Sequence, residues 1–252
     1  MSADLDGSDI YAPAFVKSVF DRCSGRYIWF SFVCSFGFTE RWRRQCVQAL
    51  PQPSTSNPQG YDLMAGTGEA WPYLLKRWPG LSSIVAVDIS SGMHRLAMKR
   101  LHRERAHRIE FREADVLAMD LPDESADFII STFGLKTFNA DQHVRFAATV
   151  MRVLKPGGVF SMIEASDPKG WWLRPLYRRY LQVILPLIER FFLRGAQDFA
   201  MIGRYTANFS DASAFATQLR EQGLEVSYQP YFFGCATGVH GRKPSANTTM
   251  GG

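Results

Sequence analysis

A glycine-rich turn between an apolar stretch and a helix is the part of this sequence best suited to bind a ligand. The stretch 60–69 reads GYDLMAGTGE, and a second apolar stretch, 83–88, ends in Asp88, twenty residues after Gly68. Glycines allow the backbone to turn tightly and to approach a ligand closely, because a Cβ atom there would clash. A carboxylate at the end of the second strand can accept hydrogen bonds from the two hydroxyls of a ribose. The spacing therefore predicts a nucleoside site at the edge of a parallel sheet.

Two classes of nucleoside suit this site, a nicotinamide or flavin dinucleotide and S-adenosylmethionine. The dinucleotide fingerprint requires a small residue three positions after its second glycine, so that the helix packs closely on the strand. Trp71 occupies that position and disfavours a dinucleotide. S-adenosylmethionine has no pyrophosphate to place at the helix N-terminus, so the acidic Glu69 is compatible with it. A turn of this kind can also be purely structural.

Two further strand ends carry residues suited to S-adenosylmethionine. Asp115 follows the third predicted strand, where a carboxylate can accept from the adenine amine while the N–H of Val116 serves a ring nitrogen; a loop-capping role is the alternative for Asp115. Ser131, Thr132 and Phe133 follow the fourth strand, near the point where strand order reverses in doubly wound sheets, and are expected to face the methionine end. The predicted cofactor-binding residues are Asp62, Ala65, Gly66, Thr67, Gly68, Asp88, Ile89, Met93, Asp115, Val116, Ser131, Thr132 and Phe133.

The alternation of apolar strands and helices from residue 61 onward predicts an α/β fold built from β-α-β units. We expect a doubly wound, mostly parallel sheet of seven strands. The segment 170–205 breaks the alternation and is predicted to be an inserted lid helix, interrupted at Pro186. The predicted strands lie near 60–64, 83–88, 108–112, 126–132, 157–164, 224–230 and 232–240, and the predicted helices near 70–78, 91–104, 140–153 and 211–222.

Helical segments are also predicted before the first strand. The stretch 14–23 is amphipathic, the aromatic stretch 27–32 follows it, and a second helix begins with Thr39 as its N-cap. We expect one domain at 13–243 between a disordered N-terminus at 1–12 and a disordered tail at 244–252. Within the domain we expect a helical lid at 13–50, the nucleoside-binding core at 60–165, the inserted lid helix at 170–205, and a C-terminal helix with a β-hairpin at 210–243.

Composition narrows the class of protein. Of the 252 residues, 46% are hydrophobic and 21% are charged, as in an ordinary globular domain. The net charge of +5 favours contact with an anionic membrane surface or an anionic substrate. There is no basic run interleaved with aromatic residues, so nucleic acid is not an expected partner. The N-terminus does not resemble a signal peptide, and the most apolar run, 27–38, is shorter than a membrane span. We expect a cytoplasmic protein, with peripheral membrane contact as an option.

The cysteines and histidines indicate neither disulfides nor a metal site. The four cysteines form no CxxC pair, and the five histidines show no ligand spacing. Reduced, buried thiols are therefore expected, and no metal is expected in the chemical step. The cysteines are Cys23, Cys34, Cys46 and Cys235.

Six motifs, in their order and spacing, resemble those of the class I S-adenosylmethionine-dependent methyltransferases: DLMAGTGE, AVDISSGM, EADV, LPDESADF, FGLK and MRVLKPGG. Within that class the chain is most similar to the ubiquinone/menaquinone biosynthesis C-methyltransferase family. That closer resemblance lies in residues 16–44, 163–168 and 183–188 and in the C-terminal GCATGVHGRK, and it covers about residues 15–243. The resemblance implies a Rossmann-like methyltransferase fold and an enzyme that uses S-adenosylmethionine to methylate carbon.

The chain departs from that family where a quinol head would bind. Met64 replaces a small residue, Lys136-Thr137 replaces Arg-Asn, residues 28–32 replace an Asp and a polar Asn, and residues 199–201 replace Tyr-Arg-Tyr. Because these changes remove polar groups, we expect a lipophilic acceptor such as a prenylated quinol or phenol, or a related secondary metabolite. Aromatic faces also stabilise cations, so C-methylation of an isoprenoid diphosphate, with or without cyclisation, is an alternative. A protein that binds the donor but catalyses a non-methylating step is another.

Carbon methylation requires a group that accepts the proton lost from the acceptor, and it requires donor and acceptor in line within about 3–3.5 Å. Glu164, at the end of the predicted fifth strand, is the first candidate for this base, and Tyr27 is the second. A salt bridge or a loop hydrogen bond is the alternative role of Glu164. Lys136 is protonated unless it is desolvated, so it is better suited to contact an anionic oxygen.

The inserted segment is suited to cover an apolar substrate. Between residues 171 and 192, apolar side chains recur at helical spacing with arginines between them. The pattern predicts a lid over a prenylated substrate, with the arginines facing an anionic head group or a membrane surface; a homodimer contact or plain packing fits it equally. Together with Arg41, Arg43 and Arg44 these arginines would also suit a diphosphate, which Mg²⁺ could assist. The predicted substrate-binding residues are Tyr27, Trp29, Phe30, Phe36, Lys136, Tyr177 and Arg178.

Overall fold

The computed structural model of the chain describes residues 9–104, 107–185, 187 and 198–245. Within these ranges the side chains of residues 26–28, 30, 102–104 and 198–200 lie outside the description.

A seven-stranded sheet of order β3-β2-β1-β4-β5-β7-β6 forms the centre of the protein. The strands from β3 to β5 run parallel, and β7 inserts antiparallel between β5 and β6. This confirms the predicted doubly wound, mostly parallel sheet. The strands are β1 (Gln59–Leu63), β2 (Ser83–Asp88), β3 (Ile109–Glu113), β4 (Ala126–Thr132), β5 (Leu154–Ala165), β6 (Glu225–Tyr231) and β7 (Ala236–Arg242).

Helices cover both faces of the sheet. Apolar residues of α2, α3 and α4 pack on one face, around Trp71 and Phe128, while α5 and α8 pack on the other, around Phe146 and Phe215. Residues of α1 and α7 form a third cluster, which includes Val19 and Tyr205. The helices are α1 (Pro13–Cys34), α2 (Phe38–Ala49), α3 (Trp71–Arg77), α4 (Ser91–Glu104), α5 (Ala140–Val153), α6 (Arg174–Arg179), α7 (Asp198–Phe209) and α8 (Ser213–Glu221).

Strand order reverses at β1, whose two neighbours in the sheet are β2 and β4. The chain leaves β1 toward β2 on one side and later returns to β4 on the other. In parallel sheets the crevice beyond the strand ends at such a point is the usual ligand site. The residues that follow β1, β2 and β4 therefore meet at one edge of the sheet.

The first helix is longer than the sequence predicts. It continues through the aromatic stretch to Cys34, because no glycine or proline interrupts residues 26–34. The break comes at Gly37, which has φ of 76° and is the N-cap of α2. Thr39, predicted as that N-cap, instead lies inside the first turn, and its hydroxyl is 3.0 Å from the hydroxyl of Ser35.

The predicted inserted helix is described only in part. Helix α6 continues as a π-helical turn at Tyr180–Ile184, Leu185 and Leu187 are also helical, and the described chain resumes as a helix at Asp198. The predicted interruption at Pro186 lies outside the described residues. No helix within the described ranges is long and apolar enough to cross a membrane.

Candidate active site

A cleft opens at the sheet edge where the chain leaves β1, β2, β3 and β4. Nine of the residues predicted to bind the cofactor line it. They come from four separate loops, and the sheet brings them together because all four strands end at the same edge. These nine are Ala65, Gly66, Asp88, Ile89, Met93, Asp115, Val116, Thr132 and Phe133.

Asp88 holds the turn between β1 and α3 against the end of β2. Its Oδ2 accepts a hydrogen bond from the N–H of Gly66 at 2.8 Å, and its Oδ1 accepts from the N–H of Ser90 at 2.9 Å. Burial raises the pKa of Asp88 to about 6, although both backbone hydrogen bonds oppose the shift. Each carboxylate oxygen can accept a second hydrogen bond. Asp88 can therefore keep the turn in place and still receive two hydroxyl groups of a ligand.

The glycine turn presents bare backbone to the cleft. Gly66 and Gly68 have φ of 58° and 75°, in the left-handed region that favours glycine. A Cβ atom on Gly66 would have only the Glu69 carboxylate, at 3.9 Å, as a neighbour, so that side of the turn is open. A Cβ atom on Gly68 would lie 2.4 Å from the ring of Trp71. An open backbone on one side and the Asp88 carboxylate beside it fit an adenosyl group.

The other four predicted cofactor residues do not line the cleft. Asp62 is buried, and its Oδ2 accepts from the indole N–H of Trp71 at 2.8 Å. Burial raises its pKa to about 7. Thr67, Gly68 and Ser131 are also buried and are not among the residues that line the cleft, so the contact of these four with a cofactor stays a prediction.

Helix α1 lies across the open side of the cleft. Tyr11, Pro13, Val16 and Phe20, at and just before its first turns, are part of the lining. With α1 in this position the cleft encloses about 80 Å³, against at least ~300 Å³ for a typical ligand pocket. An adenosyl ligand therefore needs a wider cleft than this one, and α1 forms part of the wall that would have to adjust.

Arg43 is a functional candidate that sequence reasoning placed differently. It was expected to face a diphosphate with Arg41 and Arg44, which are both exposed. Arg43 instead points inward and lines the cleft, where it pairs with Glu40 at 2.8 Å and Glu69 at 3.5 Å. The sequence signal was present, because position 43 lies next to Trp42 on the buried side of an amphipathic helix.

A second, larger cavity lies on the other side of Phe133. It encloses about 550 Å³, and apolar and aromatic side chains form most of its wall. Three predicted substrate-binding residues line it, namely Phe36, Lys136 and Tyr177. Trp29 and Arg178 are exposed and do not line it, and the side chains of Tyr27 and Phe30 lie outside the described residues. Phe133 belongs to the walls of both cavities.

Lys136 and Glu164 form an ion pair beside Phe133. Lys136 Nζ is 2.5 Å from Glu164 Oε1, and the N–H of Lys136 donates to Glu164 Oε2 at 3.1 Å. The N–H of Ala165 donates to Oε1 at 2.8 Å. Both side chains are buried, but only Lys136 lines a cavity. The salt bridge that sequence reasoning named as the alternative role of Glu164 is thus present in the structure.

The remaining titratable groups of the larger cavity are neutral at physiological pH. Burial raises the pKa of Cys34 and of Cys235 to about 11, and it raises the pKa of Tyr177 as well. None of the four cysteines, all of which lie within the described residues, forms a disulfide. Lys136 is therefore the one basic side chain among the described residues that line this cavity. In the part of the chain that the structure describes, no three His, Cys, Asp or Glu residues are grouped to hold a metal ion.

Comparison with known proteins agrees with this geometry. The chain matches the model of the ubiE/COQ5 methyltransferase family over residues 8–243. A demethylmenaquinone methyltransferase of Lactiplantibacillus plantarum is 26% identical over 230 residues, which are 90% of this chain and 95% of that protein. One of Bacillus cereus is 25% identical over 234 residues, covering 92% of this chain and 96% of that protein.

Solved methyltransferases share the fold. Human N-acetylserotonin methyltransferase, in complex with S-adenosylmethionine, aligns with a TM-score of 0.58 at 20% identity, over 95% of this chain and 64% of its own. A Haemonchus contortus phosphoethanolamine N-methyltransferase, with S-adenosylhomocysteine, aligns with a TM-score of 0.60 at 12% identity, over 91% of this chain and 60% of its own. At these identities the likeness shows the fold alone.

Proposed function

Because this chain belongs to the ubiE/COQ5 methyltransferase family, and is therefore an S-adenosylmethionine-dependent methyltransferase, we propose that it methylates a ring carbon of a prenylated quinol or phenol. The names of its relatives support a quinone-related acceptor, since the two described above are demethylmenaquinone methyltransferases.

One observation carries the proposal: an apolar cavity of about 550 Å³ adjoins the predicted cofactor cleft, with Phe133 as their shared wall. This volume lies within the ~300–1,000 Å³ of typical ligand pockets. The wall is apolar apart from Lys136 and a few neutral hydroxyl and thiol groups. A ring with one acidic hydroxyl and an isoprenoid tail matches that distribution of polarity.

Lys136 would hold the acceptor in its reactive form. An ammonium group beside the ring oxygen stabilises the phenolate, and the phenolate is the form whose ring carbon is nucleophilic. The bound donor supplies an electrophilic methyl group on a sulfonium. Phe133, between the cleft and the cavity, would set the approach of the ring carbon toward that methyl group. As the methyl group left its sulfur, S-adenosylhomocysteine would be the leaving group. The proton lost from the ring carbon would return to the ring oxygen through water, so that the proton released overall is the one lost when the phenolate forms.

Glu164 is better suited to position Lys136 than to act as the base. Its carboxylate faces neither cavity, and it already accepts from Lys136 Nζ and from the N–H groups of Lys136 and Ala165. We therefore assign it a positioning role. Tyr27, the second candidate, stays a prediction because its side chain is not described.

The diphosphate alternative has less support. Arg43 is engaged by Glu40 and Glu69, and Arg174 is engaged by Asp167 at 2.6 Å. A diphosphate in the larger cavity would face Lys136 alone among the described basic side chains of the wall. Because a buried diphosphate needs several cationic partners, the cavity favours an uncharged or singly ionised acceptor.

Gly203 provides a direct test. It lies in α7 on the cavity wall, and a Cβ atom there would have only the carbonyl oxygen of Leu181 nearby, at 3.5 Å. We expect Gly203→Trp to fill the cavity and to abolish transfer of labelled methyl to reduced demethylmenaquinone and to a prenylated phenol, because the acceptor can no longer enter. Gly203→Ala is the matched control and should remain active.

Donor binding separates loss of the acceptor site from loss of the fold. Both Gly203 variants should bind S-adenosylhomocysteine in calorimetry as the wild type does. Label in farnesyl diphosphate but in neither phenolic acceptor would contradict the proposal, as would full activity of Gly203→Trp.

A further inference from the structure

An exposed apolar surface surrounds the larger cavity. Eleven of the fourteen large hydrophobic side chains that are exposed among the described residues belong to three segments, the end of α1 with the following turn, the α6 region, and the β6–β7 turn. We call this surface the mouth face. It consists of Trp29, Phe32, Val33, Phe36, Trp172, Leu176, Val183, Ile184, Leu187, Phe232 and Phe233.

The three segments are in contact with one another. The ring of Phe36 lies 5.8 Å from that of Tyr180, whose hydroxyl donates to the carbonyl oxygen of Cys34 at 2.7 Å. Phe233 stacks on Trp171 at 5.3 Å. The β6–β7 turn also reaches α2, where Phe232 lies 4.3 Å from Phe38. The mouth face is therefore one patch rather than scattered residues.

The larger cavity opens through this patch. Phe36, Leu176, Ile184 and Phe232 line the cavity and are at the same time exposed to solvent. Residues that are both lining and exposed mark the entrance. A lipophilic acceptor would thus enter through an apolar surface and not through a polar one.

Three phenylalanines of the mouth face have a backbone conformation that bulky residues rarely adopt. Phe36, Phe232 and Phe233 have φ of 51°, 42° and 56°, in a region where a non-glycine residue is strained. Phe36 and Phe233 are also 77% and 67% exposed. An aromatic residue at such a position is explained neither by burial, since the side chain is exposed to water, nor by a favourable backbone conformation. We therefore take these side chains as evidence of a binding partner.

The three segments that form the patch carry charges of one sign. Residues 29–38, 171–187 and 231–235 contain three arginines and no acidic residue. Arg174 pairs with Asp167, while Arg178 and Arg179 are exposed next to Leu176. Aromatic and aliphatic groups flanked by arginines are the combination by which proteins bind the surface of an anionic bilayer. A protein partner would need its own apolar patch, whereas a bilayer also stores the acceptor.

We propose that the mouth face binds the surface of an anionic lipid bilayer, so that the acceptor passes from the lipid into the larger cavity without crossing water. The choice of a bilayer rests on the proposed function, in which the acceptor is prenylated. The aromatic side chains would enter the head-group region, and Arg178 and Arg179 would contact the lipid phosphates.

Vesicle sedimentation tests this directly, with phosphatidylcholine vesicles and with phosphatidylcholine vesicles that also contain phosphatidylglycerol. The wild type should bind the mixed vesicles more tightly and less so at high salt. Trp172→Ser/Phe233→Ser should weaken binding to both at least about tenfold, since two aromatic side chains no longer leave water. Arg178→Gln/Arg179→Gln should weaken binding to the mixed vesicles by about fivefold per arginine and leave binding to phosphatidylcholine unchanged.

Matched controls lie elsewhere on the surface. Met98→Ser/Val144→Ser removes two exposed apolar side chains from α4 and α5, and Arg95→Gln/Lys99→Gln removes two exposed charges from α4. Both should bind vesicles as the wild type does. Calorimetry with S-adenosylhomocysteine checks that every variant is folded.

Several outcomes would overturn the proposal. One is a wild-type protein that does not bind vesicles, and another is a loss of binding in the control variants equal to that in the test variants. A third is a lipid-free dimer in sedimentation equilibrium that Trp172→Ser/Phe233→Ser dissociates, because the patch would then be a subunit contact. Vesicle binding without methylation of any phenolic acceptor would contradict only the proposed function, and methylation without vesicle binding would contradict only this inference.

Discussion

At the scale of single residues, Asp88 is the side chain on which both the fold and the predicted donor site depend. Its carboxylate accepts from Gly66 and Ser90, so it connects the ends of β1 and β2. Its raised pKa, about 6, means that it titrates close to the physiological range. The ionised form accepts more hydrogen bonds than the protonated form, so ribose binding should favour ionisation.

We expect Asp88→Asn to weaken S-adenosylhomocysteine binding about 10–100-fold, because hydrogen bonds to a charged acceptor contribute about 1.5–3 kcal/mol each. Wild-type affinity should fall as the pH decreases below about 6, where Asp88 becomes protonated. The variant should lack this pH dependence. Calorimetry between about pH 5 and 8, a range that includes the raised pKa of Asp88, measures both effects. Glu110→Gln, an exposed change on β3, is the control.

The Lys136–Glu164 pair should matter for stability as well as for activity. Lys136→Met leaves the buried Glu164 carboxylate without its cation, which typically costs about 3–5 kcal/mol. The double variant Lys136→Met/Glu164→Gln carries no unpaired charge and should be more stable than Lys136→Met alone. Urea denaturation gives the free energies of unfolding. If the double variant is no more stable than Lys136→Met, the loss of the ion pair is not the cause of the lower stability.

At the scale of elements, α1 is held to the nucleotide-binding core by its polar face. Asp21 Oδ1 accepts from the hydroxyl of Ser90 at 2.7 Å and from the N–H of Gly92 at 2.8 Å, at the start of α4. Lys17 Nζ donates to the carbonyl oxygen of Ile89 at 3.1 Å and pairs with Glu113 at 2.9 Å. The helix that covers the cleft is therefore tied to the residues that follow β2.

Asp21→Ala should destabilise the protein by about 1–2 kcal/mol, the usual cost of losing a helix cap. Burial opposes ionisation of Asp21, but hydrogen bonds from Ser90, Gly92 and Lys17 lower its pKa overall. A lowered pKa contributes stability that is present above the pKa of the unfolded chain and is lost as the pH falls through the folded value. The difference from the wild type should therefore shrink below about pH 4.

Thermal unfolding at neutral and acid pH measures this difference. Asp120→Ala, which removes an exposed carboxylate before β4, should leave the midpoint unchanged. Equal effects of the two substitutions would contradict a capping role for Asp21.

At the scale of the whole molecule, one sheet connects the cleft that we predict to bind the cofactor with the larger cavity, and β1 is the strand at which the strand order reverses. Gly60 pairs with Ile84 of β2 and with Phe128 of β4. A Cβ atom at Gly60 would lie 2.0 Å from the carbonyl oxygen of Phe128. Because that atom is backbone, no side-chain rotation can relieve the clash.

Gly60→Ala should lower stability on the order of 3 kcal/mol, the upper range for overpacking a core. Gly25→Ala is the matched control, since a Cβ atom at this helical position meets nothing within 4 Å, and it should raise stability by up to about 1 kcal/mol. Differential scanning calorimetry compares the two variants. An unchanged midpoint for Gly60→Ala would mean that β1 and β4 can separate without cost.

The sequence by itself determined the sheet and most strand limits, and it brought nine of the residues predicted to bind the cofactor to one cleft. These features follow from local rules, because the spacing of apolar residues and the residues in the turns define each β-α unit. Parallel strands then bring their carboxyl ends to one edge of the sheet. The ending of β2 at Asp88 and the extent of α4 and α5 agree with prediction to the residue. Local rules failed in α1, where the aromatic stretch is helical, because nothing in it stops a helix once it has begun.

Only the tertiary structure decided which charged groups meet. Arg43, Glu69 and Glu40 come together from α2 and the glycine turn, and Lys136 meets Glu164 across two strand ends. The larger cavity and its exposed rim likewise come from α1, α6 and the β6–β7 turn, which are distant in sequence. Side-chain pairing between distant segments depends on packing angles that no local pattern encodes. The sequence therefore could not distinguish a residue that acts as a base from one that forms a salt bridge or one that belongs to a lid.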